Sequence, residues 1–128
     1  MNARLHHIAL ICSDIARSRE FYSRVLGMRV IHEEYRATRR SWKVDMLGAG
    51  MQLELFTFPD APARPSRPES MGLRHLALQV PDIEEAMDHV RGCGVAIEPV
   101  RVDGVTNARY TFFADPDGLP IELYESQG

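Results

Sequence analysis

Apolar and polar side chains alternate along residues 4–12. Ile8 and Leu10 fall on one face and His7, Ala9 and Ile11 on the other, which predicts a β-strand between two different environments. Asp14 then stands where a helix N-cap is wanted, an apolar helical stripe of Ile15, Tyr22, Val25 and Leu26 follows, and Gly27 suits a left-handed C-cap. Residues 28–36 and 41–47 read as a strand pair joined through 37–40. Gly48-Ala49-Gly50 turns the chain into a strand over 51–58, with Leu53 and Leu55 on one face and Gln52, Glu54 and Phe56 on the other. The order is β-α-β-β-β.

Residues 59–70 carry Pro59, Pro62, Pro65 and Pro68 and no periodicity, as expected of a proline-stiffened linker. Arg64 and Arg67 in it read first as solvated linker positions and second as side chains within reach of a ligand. After the linker the order repeats. A strand over 72–80 places Leu76, Leu78 and Val80 opposite His75, Ala77 and Gln79. Asp82 and Glu85 open a helix whose apolar positions are Ile83, Ala86, Met87 and Val90, and Gly92 and Gly94 close it. Strands are predicted over 95–102, 106–114 and 119–125, with Asp115-Pro116-Asp117-Gly118 as a turn. The expected fold is α+β: one domain of two tandem βαβββ modules (1–58 and 71–128) forming a curved mixed sheet around a cavity.

The repeat extends to single residues. An offset of 68 residues carries His7 onto His75, Asp14 onto Asp82 and Glu54 onto Glu122, so each copy holds one strand-like His and, 47 residues later, one strand-like Glu. In all four strands the flanking aliphatic residues lie opposite the His or Glu, toward the helices, so these polar groups line the other face. Two copies about a pseudo-twofold axis bring together His7, Glu54, His75 and Glu122. Two imidazoles and two carboxylates suit one divalent ion such as Ni, Zn, Co, Mn or Fe better than Ca or Mg. His6 is expected on the helix side as a strand-edge polar residue, His89 on a solvated helix face, and His32 on a strand surface.

Bulk properties restrict the partners. The chain has 128 residues and a net charge of −3, which gives no case for nucleic acid or an anionic membrane. Cys12 and Cys93 form no CxxC and read as reduced thiols. No apolar run reaches membrane-spanning length and no signal-peptide segment is evident, so a cytoplasmic protein is expected. Of 15 basic residues only Lys43 is a lysine. That arginine bias fits bidentate anion recognition and fits a G+C-rich coding sequence equally well.

The residues Leu5–Met28, Leu53-Glu54-Leu55, Arg74–Val80 and Asp115–Tyr124 together resemble the vicinal oxygen chelate superfamily of glyoxalases, bleomycin-resistance proteins and dioxygenases. The resemblance implies paired βαβββ modules cupping a divalent metal, with the four glyoxalase I ligand positions on His7, Glu54, His75 and Glu122. Glu54 distinguishes the glyoxalase I type from epimerases, which carry Gln there, and from dioxygenases and fosfomycin-resistance proteins, which use three protein ligands. The implied function is a metal-dependent lyase or isomerase acting on a small carbonyl compound through a metal-stabilised enediolate, with Glu122 and Glu54 as candidate bases. The alternatives are an Fe(II) extradiol-type dioxygenase and a non-catalytic protein that sequesters a small molecule. Two glutathione anchors of bacterial glyoxalase I, an Arg and an Asn, are replaced by Ile11 and Phe58, which argues against glutathione as cosubstrate. The segments 41–43, 64–69 and 109–113 resemble a glyoxalase-like subgroup, the YaeR-like proteins. Their Arg, Trp and Lys positions would suit a small anionic or aromatic substrate, and fit strand surface and core packing equally well. Relatives often build the site across a homodimer, and a homodimer is expected here.

Overall fold

The computed structural model describes residues 1–126, and these form two compact units, Met1–Ala63 and a second from Arg64 on. The first unit contains β1 (Ile8–Ile11), α1 (Ile15–Arg24), β2 (Arg29–Arg36), a short 3₁₀ turn (Ala37–Arg39), β3 (Ser41–Gly48) and β4 (Met51–Phe56). The second contains β5 (Leu76–Val80), α2 (Ile83–Gly92), β6 (Arg101–Val102), β7 (Arg109–Ala114) and β8 (Pro120–Glu125). Each unit has its own four-stranded mixed sheet, in the orders β1-β4-β3-β2 and β5-β8-β7-β6. In each, the first and last strands pair in parallel and the others antiparallel. The α+β class and the paired βαβββ modules are therefore as the periodicity predicts.

The caps form at the expected places. Asp14 accepts a hydrogen bond from the backbone N–H of Arg17 and Asp82 from that of Glu85, both at 3.1 Å. These satisfy donors that the first helical turn leaves without an intrahelical partner. Gly27 and Gly94 follow the two helices with φ of 66° and 80°, where a side chain would be strained. Asp115 O accepts from Gly118 N at 3.0 Å, closing the Asp-Pro-Asp-Gly turn.

The core of each unit lies between helix and sheet. Tyr22, Val44, Met46, Leu53 and Leu55 are wholly buried in the first unit, as are Ile83 and Ile121 in the second. Residues on the opposite sheet face, among them Gln52, Glu54, Phe112 and Glu122, keep partial exposure. That difference establishes the open face on which chemistry is available.

Three sequence expectations are corrected. The segment 95–102 is not a strand throughout. Ile97 makes one bridge to Phe113, Glu98 N donates to Phe112 O, and regular pairing exists only at Arg101 and Val102. Pro99 has no N–H to donate and interrupts the ladder. The first strands of both modules are shorter than the alternation predicts, starting at Ile8 and Leu76, so His7 and His75 stand immediately ahead of them. His6 does not lie on the helix side. Its Nδ1 is 2.8 Å from Nδ1 of His7, because residues before Ile8 are outside the pleated strand and no longer alternate. Among the described residues no helix is long and apolar enough to cross a membrane.

Candidate metal centre

Parallel pairing sets Ala9 opposite Glu54 in the first unit and Ala77 opposite Glu122 in the second. His7 and His75 stand just ahead of these strands, two residues before the alanines that face those carboxylates. The side chains do meet. His7 Nδ1 lies 3.3 Å from Glu54 Oε2, and His75 Nε2 lies 3.9 Å from Glu122 Oε1. All four candidate ligands are thus gathered in pairs, one His–Glu pair per unit, at equivalent positions of the repeat. Neither unit adds a third His, Cys, Asp or Glu to its pair in a metal-holding cluster among the described residues.

The surroundings of the two pairs differ. Across the sheet from Glu54 stands Asp45, and across from Glu122 stands Phe112. Across from Phe56 stands Lys43, and across from Tyr124 stands Tyr110. The first unit therefore surrounds its pair with charge. Lys43 Nζ donates to both oxygens of Asp45, at 2.7 and 2.8 Å, and lies 3.6 Å from Glu54 Oε1. Burial by itself lowers the Lys43 pKa, but the hydrogen bond and charge of Asp45, with those of Glu54, outweigh it and hold the ammonium above the ordinary lysine range. Gln52 Nε2 also donates to Glu54, at 3.4 Å.

The second unit surrounds its pair with aromatic rings. Phe112 meets the His75 ring edge-on at 5.2 Å, Tyr110 stacks on Tyr124 at 6.4 Å, and the Arg101 guanidinium lies 5.5 Å from the centres of both Tyr110 and Phe112. His75, Glu122 and these rings line a cavity of about 990 Å³. Tyr124 donates its hydroxyl proton to Asp103 Oδ2 at 2.9 Å. The N–H of Val105, with that hydroxyl and the N–H of Thr106, holds the Asp103 carboxyl below the usual carboxylate range.

Two side chains proposed for an anionic ligand, Arg109 and Trp42, serve elsewhere. Arg109 shares the helix-side face with the buried Thr111 and Phe113. Its Nε and Nη2 donate to the two oxygens of Glu125 at 2.9 and 2.8 Å, and its Nη1 to Glu84 at 3.1 Å. Glu125 in turn accepts from Ile83 N at 2.9 Å, so this network pins the start of α2. Trp42 lies on the face of Val44 and Met46, edge-on to Tyr35. Of the segment 41–43, Lys43 alone reaches Glu54.

The chain matches the model of the Glyoxalase/Bleomycin resistance protein/Dioxygenase superfamily over residues 4–123. The chain belongs to this superfamily. It is 52% identical over 123 residues to the uncharacterised protein YaeR of Escherichia coli (strain K12), covering 95% of both chains. It is 31% identical over 130 residues to the lactoylglutathione lyase of Escherichia coli O157:H7, covering 97% of this chain and 93% of that one. The crystal structure of a glyoxalase family protein from Enterococcus faecalis superposes with a TM-score of 0.91 at 42% identity, covering 97% and 98%. Superfamily membership and the lyase likeness support a metal-dependent glyoxalase-like enzyme at the level of class.

Two neighbours of the glyoxalase-type pairs escaped the sequence reading. Asp45 had a signal. A two-residue turn at Ala49-Gly50 forces antiparallel pairing in which 45 faces 54, and both turn residues show positive φ, 52° and 72°. Arg101 had none, because no tight turn between it and Tyr110 sets the register that brings them together.

Proposed function

We propose that the chain is a divalent-metal-dependent lyase or isomerase of glyoxalase type acting on a small carbonyl compound, with one metal site built from His7, Glu54, His75 and Glu122. The observation that carries the reading is a His–Glu contact occurring once in each unit at positions related by the repeat. Donors bonded to one ion at about 2.0–2.2 Å stand about 3–4 Å apart, and the separations of 3.3 and 3.9 Å are of that size. The nitrogen and oxygen donors suit Ni, Zn, Co, Mn or Fe. Since each unit supplies a pair, the complete site needs two pairs, and the reading takes one from each copy of a homodimer.

A divalent ion held there would supply Lewis-acid polarisation of the substrate's oxygens. The chain's own contribution is proton transfer. Glu54 is engaged by His7, Lys43 and Gln52, whereas Glu122 faces the more distant His75 and the Phe112 ring. The less restrained carboxylate is the better proton carrier. Glu122 accordingly removes the proton from the hydroxyl-bearing carbon beside the carbonyl and returns it to the former carbonyl carbon, the hydroxyl proton passing to the former carbonyl oxygen, while Glu54 stays fixed. A cytoplasmic location completes the reading.

Elemental analysis of protein purified without added metal tests the site: about one divalent transition ion per four-donor site is expected. His75→Ala and Glu54→Ala should lose it, and unaltered affinity in both would overturn the site. Co-assembly of His7→Ala with His75→Ala chains tests the dimer. One complete site returns if pairs come from different copies, and none returns if both pairs come from one chain.

A further inference from the structure

The cavity of the second unit carries charge that the proton transfer does not use. Arg64, Arg67, Arg74 and Arg101 line it. Arg74 is neutralised where it stands, its Nε donating to Glu69 at 2.6 Å, and Arg101 pairs with Glu98. Arg64 is held differently. Its Nε donates to Ser66 Oγ at 3.0 Å, and its Nη2 donates to the carbonyl oxygens of Leu73 and Arg74 at 2.8 and 2.9 Å. All of these acceptors are neutral. Arg64 is half-buried, and its guanidinium is fixed in orientation, keeps its full charge, and does not use Nη1 in these bonds. Arg74 immediately precedes His75, so the stretch of backbone that holds the fixed cation by hydrogen bonds also carries the candidate ligand. Tyr110, Phe112 and Tyr124 give the same cavity flat apolar surfaces.

We infer that the substrate carries an acid group, carboxylate or phosphate, that Arg64 anchors while the planar carbonyl-bearing part lies on the aromatic surfaces beside His75 and Glu122. The reacting end of this inference rests on the function proposed above; the anchored end rests on Arg64. A guanidinium already ordered by the fold loses little freedom when it meets an anion, and its planar fork matches the oxygens of both acid groups. The competing role for Arg64 is a clip that holds the backbone ahead of β5.

Calorimetric titration of the full chain with benzoylformate, its neutral methyl ester and phenyl phosphate separates these roles. It is run on chelated and on metal-loaded protein, because in the chelated protein the acid group meets only the cations of the chain. Wild type should bind at least one acid about tenfold or more tightly than the ester in both states, and the stronger acid identifies the group. Arg64→Gln should abolish that preference and leave ester affinity and metal content unchanged. Arg64→Lys should retain part of it, through charge without the fork. Equal binding of acids and ester by chelated wild type overturns the inference whatever the variants do. So does an Arg64→Gln chain that loses affinity for all three probes alike, or loses its metal, since a clip predicts that result. If wild type prefers the acid yet binds no metal, the proposed function falls and the anchor stands. If it binds metal and shows no preference, the reverse holds.

Discussion

Lys43→Met in the metal-free protein is the most discriminating perturbation of the first pair. Lys43, Asp45 and Glu54 keep 20%, 12% and 12% of their side-chain exposure, so their charges are partly shielded from solvent. Methionine retains the aliphatic stem and removes the ammonium. Asp45 and Glu54, directly opposed across β3 and β4, then face each other without their shared cation. A hydrogen bond to a charged group contributes about 1.5–3 kcal/mol, and breaking a fully buried ion pair costs about 3–5. With the residual exposure the expected loss is about 2–3 kcal/mol. At about 2.1 cal/mol/K of unfolding entropy per residue, this lowers the midpoint by about 7–11 °C. The same substitution frees Glu54 and removes a positive charge beside the proposed ion, so metal affinity should rise. Opposite signs for stability and metal affinity are the signature. Thermal unfolding of chelated protein, with a double-mutant cycle against Asp45→Asn, gives the first quantity and metal titration the second; the expected coupling is about 1–2 kcal/mol. Unchanged chelated stability, or weaker metal binding, would refute the reasoning.

The remaining predictions concern the frame and the substrate. Arg109, with the N–H of Ile83, holds the Glu125 carboxyl below the usual range. The stability it contributes is therefore present above the unfolded carboxylate pKa and lost as pH falls through the depressed folded value. Urea unfolding across a pH series should show Glu125→Gln less stable than wild type near neutrality, with the difference vanishing in acid. Ala49→Asn should gain about 0.5–1 kcal/mol, measured by the same unfolding, because Asn tolerates the positive φ of the turn better than Ala. Gly48→Ala should lose about 1–3 kcal/mol, since a Cβ there would stand 2.9 Å from Met28 Cα. Turnover of methylglyoxal with glutathione should be weak or absent in a coupled spectrophotometric assay. Ile11 is 60% exposed and Phe58, stacked on Phe56, 37%, and neither offers a charge to the tripeptide's ends.

Much of the fold was legible in local chemistry. Strand faces follow from the period-two alternation around Leu53, Glu54 and Leu55, and helix ends from Asp14, Gly27, Asp82 and Gly94, each of which acts on backbone groups a few residues away. The candidate ligands were legible for a different reason: a duplicated chain keeps the same two positions in both copies, and the offset of 68 residues exposes them. What failed was local regularity interrupted by one residue. Pro99 removes a ladder donor, so the apolar alternation of 95–102 produces one bridge at Ile97 and two regularly paired residues rather than a full strand.

Sequence by itself determined which residues repeat, which face each strand side chain takes, and hence which His and Glu belong together. Tertiary structure decided what surrounds them. Pairing across the sheet brings in residues far along the chain whose identity the repeat does not constrain. Only register shows that Glu54 faces Asp45 beside Lys43, while Glu122 faces Phe112. The same holds for the arginines. Arg64, Arg101 and Arg109 are alike in sequence, yet one is held by neutral carbonyl and hydroxyl oxygens, one rests over aromatic rings, and one ties a helix to its sheet. A side chain's charge is a property of the chain, but whether that charge is neutralised depends on partners that only the folded backbone brings within bonding distance.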